Sequence, residues 1–194
     1  AGQTAIDSAI FADGWQQRLG VGYGDLLWPA TGERLTEQSF ARYRKAGGSV
    51  ILFTNTDEMV ERAVLSPLTM IASDGILRNG VGHPRSTGAY SRVLAQYVRE
   101  RGTLPLMDAI RKMTSSVADR LSLRDRGLLR AGMKADVVIF DPQTVTDNAT
   151  FESPHQLSSG VHDVWVNGVR VLNSGVHTGT LPGAWVKGPG FRPA

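Results

Sequence analysis

The chain has 194 residues, 41% of them hydrophobic and 20% charged, which suits globular material of one domain or one and a half and excludes a disordered tail. It has no cysteine, so disulfides, thiolate metal sites and a cysteine nucleophile are ruled out, and no apolar run approaches the roughly 20 residues of a membrane span. The net charge of +3 is uneven, with 11 basic and 4 acidic residues between positions 78 and 130.

The arginines of that block are spread over several predicted helices, and Tyr90 and Tyr97 are the only aromatics among them. Nucleic-acid binding calls for one basic face with interleaved aromatics. Solvated helix faces with one or two functional arginines are therefore the favoured reading, and neither a nucleic-acid nor a membrane partner is expected. The chain opens at Ala1 without a signal-peptide pattern. That opening is expected where an upstream stretch has been removed or the chain is a piece of something larger. The compartment stays open, with a cytoplasmic setting favoured over a secreted or periplasmic one.

Residues 1–33 are glycine-rich and irregular and offer no convincing strand. Thr36 is placed to cap a helix running through Tyr43 and ended by Gly47-Gly48. Val50–Phe53 is a short β-rich apolar run that predicts a buried strand. Thr56 caps the next helix, with Asp57 and Glu58 in its first turn and an apolar stripe of Met59, Val60, Ala63 and Val64, and Ser66-Pro67 stops it. Thr69–Ala72 predicts a second buried strand. The loop from Ser73 to about Gly88 leads to a helix carrying Val93, Leu94, Tyr97 and Val98. Apolar strands alternating with helices predict a parallel sheet, either doubly wound or a (β/α)8 barrel. Two strands make neither, so these units are expected to pack on something outside this chain.

Helices follow at Pro105–Met113 and about Ser116–Leu121. From Gly127 the pattern turns to β. Ala135–Phe140 predicts a buried strand, and Val161–Val166 and Val169–Leu172 flank Asn167-Gly168, the strongest short-range hairpin signal. The Gly- and Pro-rich tail from Gly179 to Ala194 is expected to run over a surface.

Chemistry concentrates after Thr69–Ala72. Asp74, just past a predicted strand end, is placed to act as general base or hard-cation ligand, although Asp74-Gly75 also reads as an ordinary turn. Arg85, held by Pro84, could clamp a carboxylate bidentately, against the plain alternative of a surface arginine. His83 reads as a ligand or proton shuttle, or as a structural histidine. His155, His162 and His177 form no H-x-H or H-E-x-x-H arrangement, and His162 alternates with Val164 and Val166 as a strand-face residue. No complete metal site, P-loop, G-x-G-x-x-G or G-x-S-x-G can be assembled.

The run Met70-Ile71-Ala72-Ser73-Asp74-Gly75, followed by His83-Pro84-Arg85, Gly88 and Arg92-Val93-Leu94, resembles the strand-eight region of N-acyl-D-amino-acid deacylases (D-aminoacylases) of the amidohydrolase superfamily. The likeness continues through Ala109-Ile110-Arg111-Lys112-Met113-Thr114, Gly132-Met133-Lys134-Ala135-Asp136-Val137-Val138-Ile139-Phe140-Asp141-Pro142 and Val164-Trp165-Val166-Asn167-Gly168. Upstream it includes Thr31-Gly32-Glu33-Arg34-Leu35-Thr36 and Phe40-Ala41-Arg42-Tyr43-Arg44. It implies an α/β fold: residues 1–126 as the last βα units of a metal-dependent (β/α)8 TIM barrel and residues 127–194 as C-terminal strands and tail of a small β-sandwich.

The resemblance also implies a hydrolase acting on linear amide bonds of N-acyl-D-amino acids or related N-acyl compounds by metal-activated water. One or two zinc ions would be held mostly by residues not in this chain, in an N-terminal portion of the same enzyme. Asp74 would be the general acid/base and a metal contact, Arg85 would hold the substrate carboxylate, and His83 would lie beside it at the substrate. The stretch from Ile76 to Ser86 is shorter than in some family members and has Arg78-Asn79-Gly80 where they carry histidines. The competing expectations are a cyclic-amide hydrolase of the hydantoinase or dihydroorotase type, and a non-catalytic structural fragment lacking its N-terminal partner.

Overall fold

The structure, a computed structural model, describes residues 1–192, which fall into two compact units. The first comprises residues 1–62, 73–88 and 149–157. Its main sheet is built from β1 (Gly2–Ala5), β2 (Leu26–Trp28), β3 (Glu33–Arg34) and β4 (Ser49–Leu52), paired β1-β4-β2-β3 and antiparallel at each step. Two helices accompany it, α1 (Trp15–Leu19) and α2 (Glu37–Ala46). Thr36 and Ser39 cap α2 reciprocally, each side-chain oxygen accepting from the other's backbone N–H.

The core of this unit is aromatic. Phe11, Trp15 and Phe40 sit with ring centroids 5.3–5.6 Å apart, and Ile6, Leu26, Leu35, Val50 and Leu52 are buried with them. Two expectations are corrected here. Residues 1–33 do supply strands, which escape a periodicity reading because they are two to four residues long and pair with partners far along the chain, Gly2 opposite Leu52. The β4 strand, expected in a parallel sheet, is antiparallel to both of its neighbours.

α3 (Asp57–Leu65) is capped by Thr56, whose Oγ1 accepts from Met59 N at 3.2 Å, and it ends before Ser66-Pro67 as its sequence dictates. Its apolar stripe is not buried, however, and Met59 is 59% exposed. Thr69–Ala72 is not a strand among the described residues. It runs as coil, half-buried or exposed, and Ile71 N donates to Lys112 O at 3.1 Å instead of to a sheet neighbour. The loop that follows contains a small hairpin, β5 (Leu77–Arg78) against β6 (Val81–Gly82), with Asn79 and Gly80 both at positive φ in its turn. The next helix begins as α4 (Arg85–Arg92) and continues as a wider π-helical stretch, Val93–Glu100.

The second unit comprises residues 63–72, 89–148 and 158–194. Val93, Leu94, Ala95 and Tyr97 of the π-helical stretch are buried in it, as are Leu104, Ala109, Ala118 and Val145. α5 (Leu106–Met113) starts after Pro105 and α6 (Ser115–Arg120) follows, close to the expected bounds. Lys112 of α5 is only 8% exposed. Its ammonium donates to Thr69 O at 2.8 Å, to Thr69 Oγ1 at 3.2 Å and to Ser66 O. Burial pushes the pKa of this lysine below its ordinary value.

The second sheet is β7 (Val137–Phe140), β8 (Val161–Val166), β9 (Val169–Asn173) and β10 (Val176–His177), antiparallel in the order β10-β9-β8-β7. The Asn167-Gly168 turn has φ of 50° and 82°, the two left-handed residues that a type I′ hairpin requires. β7 was expected to be buried, yet Val138 and Ile139 are 55% and 48% exposed among the described residues. The tail is exposed through residue 192, apart from half-buried Pro182, and its last two positions lie outside the described residues.

Candidate active site

Asp74, His83 and Arg85 all lie in the first unit, and the loop between them is drawn shut at its base. The Arg85 guanidinium does this. Its Nε donates to Asp74 O at 2.9 Å, its Nη2 to Asp74 Oδ2 at 3.2 Å and its Nη1 to Ala1 O at 3.4 Å. A guanidinium has five N–H donors, so two remain for an incoming acceptor.

Asp74 has φ of 42°, in the left-handed region that aspartate tolerates and most residues avoid. Its side chain is 89% exposed while that of Arg85 is 25% exposed. The carboxylate therefore stands out from the surface, with the guanidinium set in behind it.

Gly75 allows the two arms to meet. A Cβ there would collide with the Cα, Cβ and Oγ of Ser86, so only a hydrogen fits between the arms. On the far arm, His83 lies two residues before the start of α4, separated from it by Pro84. Its Nδ1 accepts from Arg85 N at 3.1 Å and its carbonyl from Ser86 N at 3.1 Å. An accepting Nδ1 puts the proton of the neutral ring on Nε2.

His83 is 8% exposed, and its ring meets Phe151 edge-on, with centroids 5.1 Å apart at 72°. Phe151 also packs on Phe53 at 4.9 Å, and the Arg34 guanidinium lies 3.9 Å from the centroid of Phe53. Thr87 Oγ1 donates to Pro154 O at 2.7 Å. Sequence reasoning singled out Asp74, Arg85 and His83. It missed Gly75 as a close-approach residue, and it missed Phe151, which no local pattern connects to His83.

His155, His162 and His177 are exposed and stand apart from this loop in sequence. His177 Nδ1 accepts from Gly179 N at 3.0 Å in the tail. Among the described residues no group of three or more His, Asp or Glu side chains could hold a metal ion. The donor set of this chain thus does not fit a complete metal site: Asp74 offers one outward carboxylate, partly engaged by Arg85. No helix among the described residues is long and apolar enough to cross a membrane.

Residues 67–172 match the model of the amidohydrolase family. The chain is 44% identical over 154 residues to the N-acyl-D-aspartate deacylase of Alcaligenes xylosoxydans xylosoxydans, covering 79% of this chain and 30% of that protein. A structure of D-aminoacylase, determined in a study of the functional role of its binuclear metal centre, superimposes with a TM-score of 0.74 at 32% identity, covering 92% of this chain and 39% of the other. N-acyl-D-glutamate deacylase from Bordetella bronchiseptica, complexed with zinc and a phosphonate that mimics the tetrahedral intermediate, superimposes with a TM-score of 0.72 at 31% identity, covering 88% and 37%. The chain therefore spans about a third of the length of the relatives it matches.

Proposed function

Since the chain belongs to the amidohydrolase family, we propose that it supplies the acid/base and carboxylate-binding loop of a zinc-dependent deacylase acting on N-acyl-D-amino acids. In this reading Asp74 takes a proton from the attacking water and returns it to the leaving amine. The amide is thereby cleaved to a carboxylic acid and a free amino acid. Arg85 holds the substrate carboxylate with the two donors it has left, and His83 contributes to the substrate site through Arg85.

The observation that carries the proposal is the adjacency of Asp74 and Arg85, 3.2 Å apart across one loop base. In an N-acyl α-amino acid the carboxylate carbon lies only ~2.5 Å from the amide nitrogen, two covalent bonds away. An acid/base serving that nitrogen and a cation serving that carboxylate must therefore be neighbours. A cyclic amide without an α-carboxylate makes no such demand. The D configuration is carried over from the relatives.

Zinc, as one or two ions, belongs to the proposal for the complete enzyme, with ligands mostly outside this chain and Asp74 as the contact from within it. When bound, such an ion polarises a carbonyl and activates water. The N-terminal portion of the same enzyme is then the partner that completes the site. Residues 1–126 are read as the closing part of a (β/α)8 barrel and residues 127–194 as strands of a small β-sandwich, a division supported by the likeness to D-aminoacylase over most of the chain.

The test is Asp74→Asn in the complete enzyme. Turnover is expected to fall by about 10² to 10⁴-fold with the melting temperature unchanged. Activity within about ten-fold of the parent would overturn the assignment.

A further inference from the structure

The segment from Ala149 to Leu157 reaches residues far from it in sequence. It follows the second unit's helices and β7, yet it belongs to the first unit. Ala149 and Pro154 are buried, and Phe151, between them in sequence, packs on Phe53 and meets the His83 ring edge-to-face. Pro154 O takes the Thr87 hydroxyl at 2.7 Å. These contacts fall on the first turn of α4, on either side of Arg85. His83 precedes it and caps its amide, and Thr87 follows it one step beyond Ser86, the residue against which Gly75 fits.

We propose that this segment is a strap that positions the Arg85 guanidinium. Phe151 presses the His83 ring into the orientation in which Nδ1 caps the Arg85 amide, and Pro154 pins the turn through Thr87. The inference rests on the proposed role of Arg85 but assigns a function to residues that touch neither substrate nor Asp74. Phe151, Pro154 and Thr87 are positioning residues.

The physical case is that an arginine can present two donors to a ligand only if its backbone is fixed. A long side chain hinged on a loose helix end spreads over many rotamers, and a displacement near 1 Å can cost up to about 100-fold in rate. Three of the five donors are already committed to Asp74 and Ala1. A shift of the first turn would misdirect the remaining pair. The Phe53–Phe151–His83 ring series, backed by Arg34, is a rigid stop because edge-to-face and tilted rings have few ways to slide.

The experiment uses the complete enzyme with an N-acetyl-D-amino acid and its carboxamide counterpart, which lacks the carboxylate. Phe151→Ala is expected to raise KM for the acid about ten-fold while kcat stays within about two-fold and the carboxamide changes less than two-fold. Phe151→Leu should recover part of the loss. Thr87→Val, which removes one hydroxyl and disturbs folding least, should shift KM in the same direction by less. Hydrogen exchange of the Arg85 amide should speed up about ten-fold in Phe151→Ala.

Equal losses on acid and carboxamide, or unchanged exchange at Arg85, would overturn the strap. Arg85→Ala is run in parallel. If that variant shows no preference loss for the acid, the parent reading of Arg85 fails and the exchange measurement alone decides the strap. If it does and Phe151→Ala does not, the strap alone is wrong.

Discussion

Lys112→Met isolates a buried ammonium that the proposed chemistry does not use. Lys112 is 8% exposed and donates to Thr69 O, Thr69 Oγ1 and Ser66 O. Methionine fills nearly the same space without a donor. Thr69 O, on a half-buried residue, then loses a charged partner, which costs about 1–3 kcal/mol. Ser66 O keeps Thr69 N at 3.3 Å as a donor, so its loss is smaller, about 0.5–1.5 kcal/mol. Relief of the ammonium's desolvation offsets part of the sum, leaving a net destabilisation of roughly 1–3 kcal/mol.

Urea unfolding followed by tryptophan fluorescence measures it, and a shift below about 0.5 kcal/mol would refute a stabilising role for the Lys112 bonds. The pH dependence gives a second readout. Burial lowers the folded-state pKa of Lys112, so above that value the unfolded chain holds the proton that the folded chain has lost. Parent stability therefore rises relative to the Met variant, which has nothing to titrate there, as pH climbs from the lowered value towards about 10.4. A gap that narrows over that window would contradict the assignment.

Gly75→Ala should force the Asp74 and Arg85 arms apart, because the added methyl meets the backbone of Ser86. A stability loss of about 1–3 kcal/mol and a fall in kcat/KM of more than about ten-fold are expected, and thermal melts with steady-state kinetics would detect either. Asp163 accepts from Ser174 N at 3.0 Å and from Arg170, and these bonds hold its pKa below the ordinary carboxylate value. Its contribution is therefore complete above the unfolded-state value, near pH 4, and is lost as pH falls through the lower folded-state value. Asp163→Asn should flatten the acid limb of the stability profile, and an unaltered limb would show that the bond contributes nothing there.

What the sequence made legible follows the range of the interactions involved. The α2 and α3 helices announce themselves through Thr36 and Thr56, whose capping bonds reach three residues. The β8–β9 hairpin announces itself through Asn167-Gly168. Strands β1 to β3 could not, since none is long enough to show alternation and β1 and β2 are defined by pairing with β4, far along the chain. Thr69–Ala72 failed in the opposite way. Its composition suits a buried strand, but composition says nothing about whether a neighbour lies alongside, and the bond it makes is to Lys112 O. Asp74 and Arg85 are residues whose proposed chemistry residue type alone suggests. The ring that backs His83 comes from Phe151, and an aromatic in an irregular segment carries no mark of what it will touch.

The loop from Asp74 to Arg85 separates what must be fixed from what can vary. Its base is closed by contacts that tolerate little: the Arg85–Asp74 bonds, the Gly75–Ser86 approach and the His83 cap. Its far end is the β5–β6 hairpin, whose turn residues Asn79 and Gly80 are exposed and take the positive φ that a short turn needs. Residues beyond the closed base can be exchanged, added or removed without moving the carboxylate relative to the guanidinium, because no bond at the base passes through the hairpin tip. The stem thus holds one acid and one cation in fixed relation, while the tip is left to the surface.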